Sequence, residues 1–202
     1  MRIGIALVLF LFGAGAPAFA AGVAATAASA IAFALAPAAG SPSPSAESRP
    51  LEVVPYVDIQ RYLGIWYEIA TIPQRFQRGC VGVTAEYKLR KDGDIDIVNT
   101  CHRGTLDGQV RTAHGKAWVV DKKTNAKLKV RFFWPFTGDY WIIALDADYQ
   151  WAVVGHPNRK YLWILSRTPQ MDPALYDELL KLIEAKGYDL SKLKRTLQPG
   201  GN

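Results

Sequence analysis

Two cysteines, two methionines and three histidines in 202 residues leave little material for thiol or metal chemistry. His102, His114 and His156 show no H-E-x-x-H or comparable ligand spacing, so they read as surface or hydrogen-bonded histidines. There is no G-x-S-x-G elbow and no glycine-rich phosphate loop. "DGDIDI", residues 92–97, opens like a calcium loop, but its sixth position is Ile97 instead of glycine and its twelfth is Arg103 instead of glutamate. A hairpin turn explains it better. No metal and no cofactor is expected. The one catalytic route left is a free cysteine facing a cavity. Charge of one sign is scarce as well. The net charge of +6 is spread along the chain and marks no nucleic-acid surface.

Long apolar runs are also few. Ile3 to Phe12 is shorter than the ~20 residues that a membrane-spanning helix needs. With Arg2 before it and Ala18-Phe19-Ala20 after it, the run has the form of a secretory signal peptide over residues 1–20. The uncharged Ala-rich continuation to Gly40 also allows cleavage as late as residue 39, or an uncleaved anchor. Residues 21–52, Ala-rich and then Ser/Pro-rich ("SPSPSAESRP"), read as a linker. The folded domain is expected over 53–202, long enough to bury a core.

No cysteine precedes Cys80, which excludes acylation of an N-terminal cysteine. Cys80 and Cys101 make an even count in an exported chain, which favours a disulfide. They flank a hairpin whose turn is Lys91-Asp92-Gly93-Asp94. Folding there sets Cys101 opposite Thr84, so a bridge requires a bulge or loop at Cys80, which Gly79 and Gly82 permit. Two free thiols are the alternative.

What the sequence has in quantity is short β-rich segments with turn signals between them. They fall at 65–72, 81–90, 94–101, 110–120, 126–134, 139–146, 149–155 and 161–167. "KDGD", "DKKTN", "PFTGD" and "GHPNRK" supply turns. Eight antiparallel strands in this order predict an all-β, up-and-down barrel, which removes exposed strand edges. In "KLKVRFFW", residues 127–134, period-2 alternation places Lys127, Lys129 and Arg131 in water and Leu128, Val130, Phe132 and Trp134 inside. One helix follows. Asp172 is its N-cap, Pro173 its first residue and Gly187 its stop, with a Leu175, Leu179, Leu182 and Ile183 stripe that docks on the barrel's outside. A short last strand is expected near 193–197.

Three motifs then carry a resemblance. Gly64-Ile65-Trp66 matches a Gly-x-Trp signature, "ALDADYQWAVVG" (144–155) resembles a second motif, and "YLWILSRTP" (161–169) a third ending in an arginine. In this order, followed by one helix, they resemble the lipocalins over residues 56–200, and most nearly the bacterial group related to apolipoprotein D. The resemblance implies that Trp66 lies on the closed floor of the barrel with Arg167 packed across it, and that Gly64 lets the chain turn beneath. It implies that the loop 72–79 arches over an open mouth, where Arg75 and Arg78 would attract an anionic head group and Phe76 would serve as a lid.

Parity with Trp66 adds Glu68 to the expected lining. Parity with Arg167 adds Trp163, at a position that faces ligand in related lipocalins. Tyr140 and Tyr149 complete the set. The expected function is binding, storage or transport of an amphiphile such as a fatty acid or lysophospholipid. The protein would work in the periplasm or at the outer membrane without a lipid-anchor cysteine, as monomer or homodimer, with peripheral membrane contact. Burying roughly sixteen methylenes gains about 13 kcal/mol, against an association cost of ~4–15 kcal/mol. Two alternatives stand beside it: a carrier of a rigid ligand (retinoid, carotenoid or haem), and a cavity-thiol isomerase.

Overall fold

A computed structural model describes residues 49–201. The expected signal segment and most of the expected linker lie outside the described residues. After a short helical turn, α1 (Ile59–Tyr62), come eight strands: β1 (Gly64–Thr71), β2 (Cys80–Leu89), β3 (Ile95–Arg103), β4 (Val110–Val119), β5 (Lys127–Phe133), β6 (Phe136–Leu145), β7 (Trp151–Gly155) and β8 (Leu162–Ser166). Each is antiparallel to the next, and β1 pairs with both β2 and β8, which closes the barrel. Helix α2 (Pro173–Ala185) and a two-residue strand, β9 (Lys194–Arg195), follow. The predicted eight-stranded up-and-down barrel with one C-terminal helix is the observed architecture.

The two hairpins read in most detail differ from expectation in small ways. Arg90 N–H donates to Asp94 O, so the β2–β3 loop is Lys91–Gly93 and the pairing is displaced by one residue, with Thr84 opposite Thr100. A bulge between Val81 and Thr84 then brings Cys80 and Cys101 together, and they are bridged with Sγ–Sγ 2.07 Å. Gly82 sits in the bulge at φ +56°, where a side chain is disfavoured. In the second hairpin, β6 begins at Phe136, so Trp134-Pro135 alone forms the turn rather than residues 135–139. The register shifts between Val130 and Phe133, and Trp134 is 82% exposed at the tip. Its expected inward placement is therefore overturned. Alternation holds through Phe132 and fails where the strand ends.

Two cores flank the barrel wall. The inner one fills the barrel with Trp66, Tyr87, Ile95, Ile97, Leu128 and Ile142 among others. The outer one lies under α2, where Tyr176, Leu179 and Ile183 are buried against a cluster containing Ile69, Ile143, Val153 and Ile164. Asp172 caps the helix by accepting Leu175 N–H at 3.0 Å, with Pro173 in the first turn. Leu175 and Leu182 fall at the margin of the contact, and Tyr176, one turn before Leu179, takes the central place.

After α2 the chain returns to β1. Strands β1 and β2 pair only through Gly64–Tyr67 and Thr84–Tyr87, and part toward the far end. Residues 194–198 fill the gap. Arg195 pairs with Ala70 and Lys194 with Thr71, Gly82 N–H donates to Leu197 O at 2.7 Å, and Gln198 Nε2 donates to the carbonyls of Glu68 and Val83. Backbone groups that the split would leave unpaired are satisfied this way.

Candidate functional site

One end of the barrel is sealed. Trp66 is fully buried, its Nε1–H donating to Tyr62 O at 2.8 Å. The Arg167 guanidinium lies 3.8 Å from the Trp66 ring centroid and donates to three carbonyls: Tyr149 (3.2 Å), Ile65 (2.9 Å) and Arg61 (2.8 Å). Gly64, at φ +93°, passes beneath, with space for a β-carbon only 3.4 Å from Arg167 Nη1. Tyr149 belongs to this floor rather than to a cavity wall. Its ring lies under the Arg61 guanidinium, and its hydroxyl accepts Asp58 N–H.

Above the floor, tyrosines and aliphatic side chains pack the interior. The Tyr140 hydroxyl meets those of Tyr62 (2.8 Å) and Tyr87 (2.9 Å). Burial pushes all three phenols upward from their ordinary pKa, Tyr87 to about 12. Between these tyrosines and Ile95, Ile97, Ala117, Leu128 and Val130 remains a void of about 10 Å³, enough for about one water at most. The cup is thus shallower than strand alternation alone suggests. Leu128, Val130 and Tyr140 face inward but belong to the packed interior around this small void. Toward the mouth, Phe132 and Trp163 pack on the same inner cluster while staying partly exposed. Phe132 lies over Gly115, where a β-carbon would come within 2.7 Å of its ring.

The mouth is ringed by the loops after β1, β3, β5 and β7. The tip after β5 carries Phe133 (72% exposed), Trp134 and Phe136 (77%). In the loop 72–79, Phe76 is 71% exposed and closes nothing. Gln77 is the residue that reaches in. Its Nε2 donates to Glu68 Oε2 at 2.9 Å, and its Oε1 accepts from Trp163 Nε1 at 3.4 Å. Glu68 is buried, and Thr196 Oγ1 donates to its other oxygen at 2.6 Å. Burial raises the Glu68 carboxyl above its ordinary value, and the hydrogen bonds from Thr196 and Gln77 oppose this. Beside this pair a cavity of about 450 Å³ opens between the first loop and the C-terminal segment. Arg75 and Arg78, the two residues expected to attract an anionic head group, line it. So do Lys194, Arg195 and Thr196, which sequence reasoning missed because nothing local shows where the chain returns.

A closed antiparallel barrel, sealed at one end by a Trp–Arg pair, open at the other and flanked by one helix, is the lipocalin architecture. The lipocalin-like domain family matches residues 57–198, and the chain belongs to that family. It is 45% identical over 152 residues to the outer membrane lipoprotein Blc of Escherichia coli K12, covering 75% of this chain and 85% of that protein. It is 43% identical over 161 residues to temperature-induced lipocalin-1 of Arabidopsis thaliana, with the same coverage of each. Bovine apolipoprotein D is 30% identical over 148 residues, covering 70% of this chain and 77% of that protein. Among solved structures, insecticyanin from the tobacco hornworm Manduca sexta superposes with a TM-score of 0.59 at 20% identity, covering 73% of this chain and 84% of that one. At that identity the likeness concerns the fold.

Proposed function

We propose that the protein binds and carries a single-chain amphiphile, a fatty acid or lysophospholipid, at the mouth of its barrel in the cell envelope, and does no chemistry on it. The observation that carries this reading is a barrel sealed at one end whose open end has partly exposed inward aromatics, Phe132 and Trp163, beside a cavity of about 450 Å³. That volume lies within the ~300–1,000 Å³ typical of small-molecule sites. In this reading the acyl chain enters past Gln77, and the hydroxyl cluster around Tyr140 sets how deep it reaches. Both cysteines are held in the disulfide, which supports a carrier over a thiol-dependent isomerase. The leader expected over residues 1–20 and the names of the bacterial relatives support export. Phe133, Trp134 and Phe136 on the rim supply the aromatic, partly apolar surface that favours a membrane interface, so the amphiphile would be collected at the bilayer.

The test is mass spectrometry of small molecules extracted from protein purified from its native compartment, followed by titration of the delipidated protein with palmitate and with a palmitoyl lysophospholipid. A bound amphiphile and saturable titration are expected. No extracted amphiphile together with no titration overturns the assignment.

A further inference from the structure

The split between β1 and β2 is closed by a segment that polar contacts hold, not apolar burial. Of residues 194–198, the two buried side chains are Thr196 and Gln198, 7% and 1% exposed, while the one apolar residue, Leu197, is 40% exposed. Thr196 Oγ1 donates to Glu68 Oε1 at 2.6 Å, and Gln198 Nε2 donates to the carbonyls of Glu68 (2.8 Å) and Val83 (2.9 Å). Gln198 Oε1, buried with them, has no hydrogen-bond partner among the described residues, and a buried acceptor left unpaired is costly. Backbone pairing is short as well. Arg195 and Lys194 oppose Ala70 and Thr71, Thr196 N–H donates to Ile69 O at 2.9 Å, and Gly82 N–H donates to Leu197 O at 2.7 Å. At the surface, Arg195 lies over the Tyr176 ring with its Cζ 4.1 Å from the centroid, and Gln170 Nε2 donates to Pro199 O. When such a segment leaves the wall, water replaces the hydrogen bonds it loses, whereas apolar burial has no such substitute.

Both sides of the split are fastened without this segment. The Cys80–Cys101 disulfide ties the mouth end of β2 to β3. Strand β1 stays paired with β8 as far as Thr71, which opposes Trp163. Glu68 keeps Gln77 as a donor when Thr196 is withdrawn. Free volume lies alongside, because Lys194, Arg195, Thr196 and Leu197 form one wall of the 450 Å³ cavity and the first loop forms the other. Few apolar contacts and exposed backbone bonds are the marks of a unit that opens locally while the rest of the fold stays intact.

We propose that residues 194–198 are a removable stave of the barrel wall. When they detach, the split between β1 and β2 becomes a side port, and the cargo's chain enters and leaves through it broadside instead of end-on. The inference rests on the carrier reading and adds the route by which cargo is exchanged. The port reaches deep. It runs from the mouth down to the pair formed by Tyr67 and Thr84, and Tyr67 adjoins the floor residue Trp66. Its inner margin carries Glu68 and, through Gln77, Trp163. A chain leaving end-on must slide its whole length past Gln77 and Trp163, whereas the open port frees that length at once. Closing the stave restores the wall and its backbone hydrogen bonds.

The experiment locks the stave. Ala70 and Arg195 oppose each other across the β1–β9 pair, close enough for an engineered disulfide. The A70C/R195C variant is loaded with a fluorescent anthroyloxy-palmitate, and its dissociation is followed by stopped flow on adding excess palmitate. Release is expected to be at least five-fold slower from the oxidised variant than from the reduced one. The unmodified protein under the same reductant controls for reduction of Cys80–Cys101. A second measurement needs no variant. In hydrogen exchange of the unmodified protein read by NMR, the Thr196 and Gly82 amides, which bond the stave to the wall, should exchange at least five-fold faster than the Val153 amide in β7. A smaller difference in either measurement overturns the port and leaves the carrier intact. Failure of the unmodified protein to bind the palmitate analogue removes the carrier reading itself, and the port with it.

Discussion

Replacing Arg167 by alanine should unfasten the barrel floor. Its guanidinium joins two stretches of chain that are distant in sequence, donating to Arg61 O in α1 and Ile65 O in β1 on one side and to Tyr149 O before β7 on the other, while covering Trp66 at 3.8 Å. Hydrogen bonds to charged groups contribute about 1.5–3 kcal/mol each. This side chain is only partly buried, so water replaces some of what is lost and the low end of that range is discounted further. The cation–π contact adds ~1 kcal/mol. The expected loss is about 3 kcal/mol, which at ~2–4 °C per kcal/mol for a domain of this size lowers Tm by roughly 9 °C. Lysine keeps a charge but has no planar fork to reach three carbonyls, so R167K should recover less than half of the loss. Urea unfolding at pH 7, followed by tryptophan fluorescence, measures both variants. A loss below about 1 kcal/mol in R167A, or R167K equal to the unmodified protein, would refute the view that the floor is held by directed guanidinium bonds.

Three further outcomes follow from the same geometry. Because burial raises the Glu68 carboxyl above 4.5, the folded state holds that proton more tightly than the unfolded one. Its stabilising contribution is therefore full below the unfolded value and is lost as pH rises through the folded value. E68Q stability relative to the unmodified protein should then be more favourable at pH 7.5 than at pH 4 in urea unfolding, and parallel pH profiles would contradict this. C80A/C101A removes a cross-link that spans 21 residues and should cost roughly 3 kcal/mol in denaturant unfolding. F133S/W134S should reduce co-sedimentation with anionic phosphatidylglycerol vesicles several-fold without lowering Tm, because both side chains are largely exposed. Unchanged sedimentation would remove the rim from membrane contact.

Much of the fold was legible because it is written in local patterns. Alternation from Leu128 to Phe132 placed one face inward, and the structure packs both residues on the inner cluster. Asp172, Pro173 and Gly187 bracketed α2 within a residue or two. The need for a bulge or a loop at Cys80 to join Cys80 and Cys101 followed from counting residues around the hairpin, although the count was off by one, and the structure has the bulge. Trp134 was misplaced because parity says nothing about where a strand stops. Phe76 was expected as a lid, yet it points into solvent while its neighbour Gln77 makes the inward contacts.

The candidate site was only half legible. Arg75 and Arg78 could be named from the first loop, but Lys194, Arg195 and the Thr196–Glu68 contact join residues up to 128 positions apart. The tyrosine cluster likewise draws Tyr62 from α1, Tyr87 from β2 and Tyr140 from β6. Period and turn chemistry act over a few residues, so the sequence alone determined which segments are strands, which face each presents and where the helix begins and ends. Closure of the barrel acts over the whole chain. Only the tertiary structure decided how far the interior is filled and which segment slips between β1 and β2, because both depend on how side chains from distant strands compete for the same space.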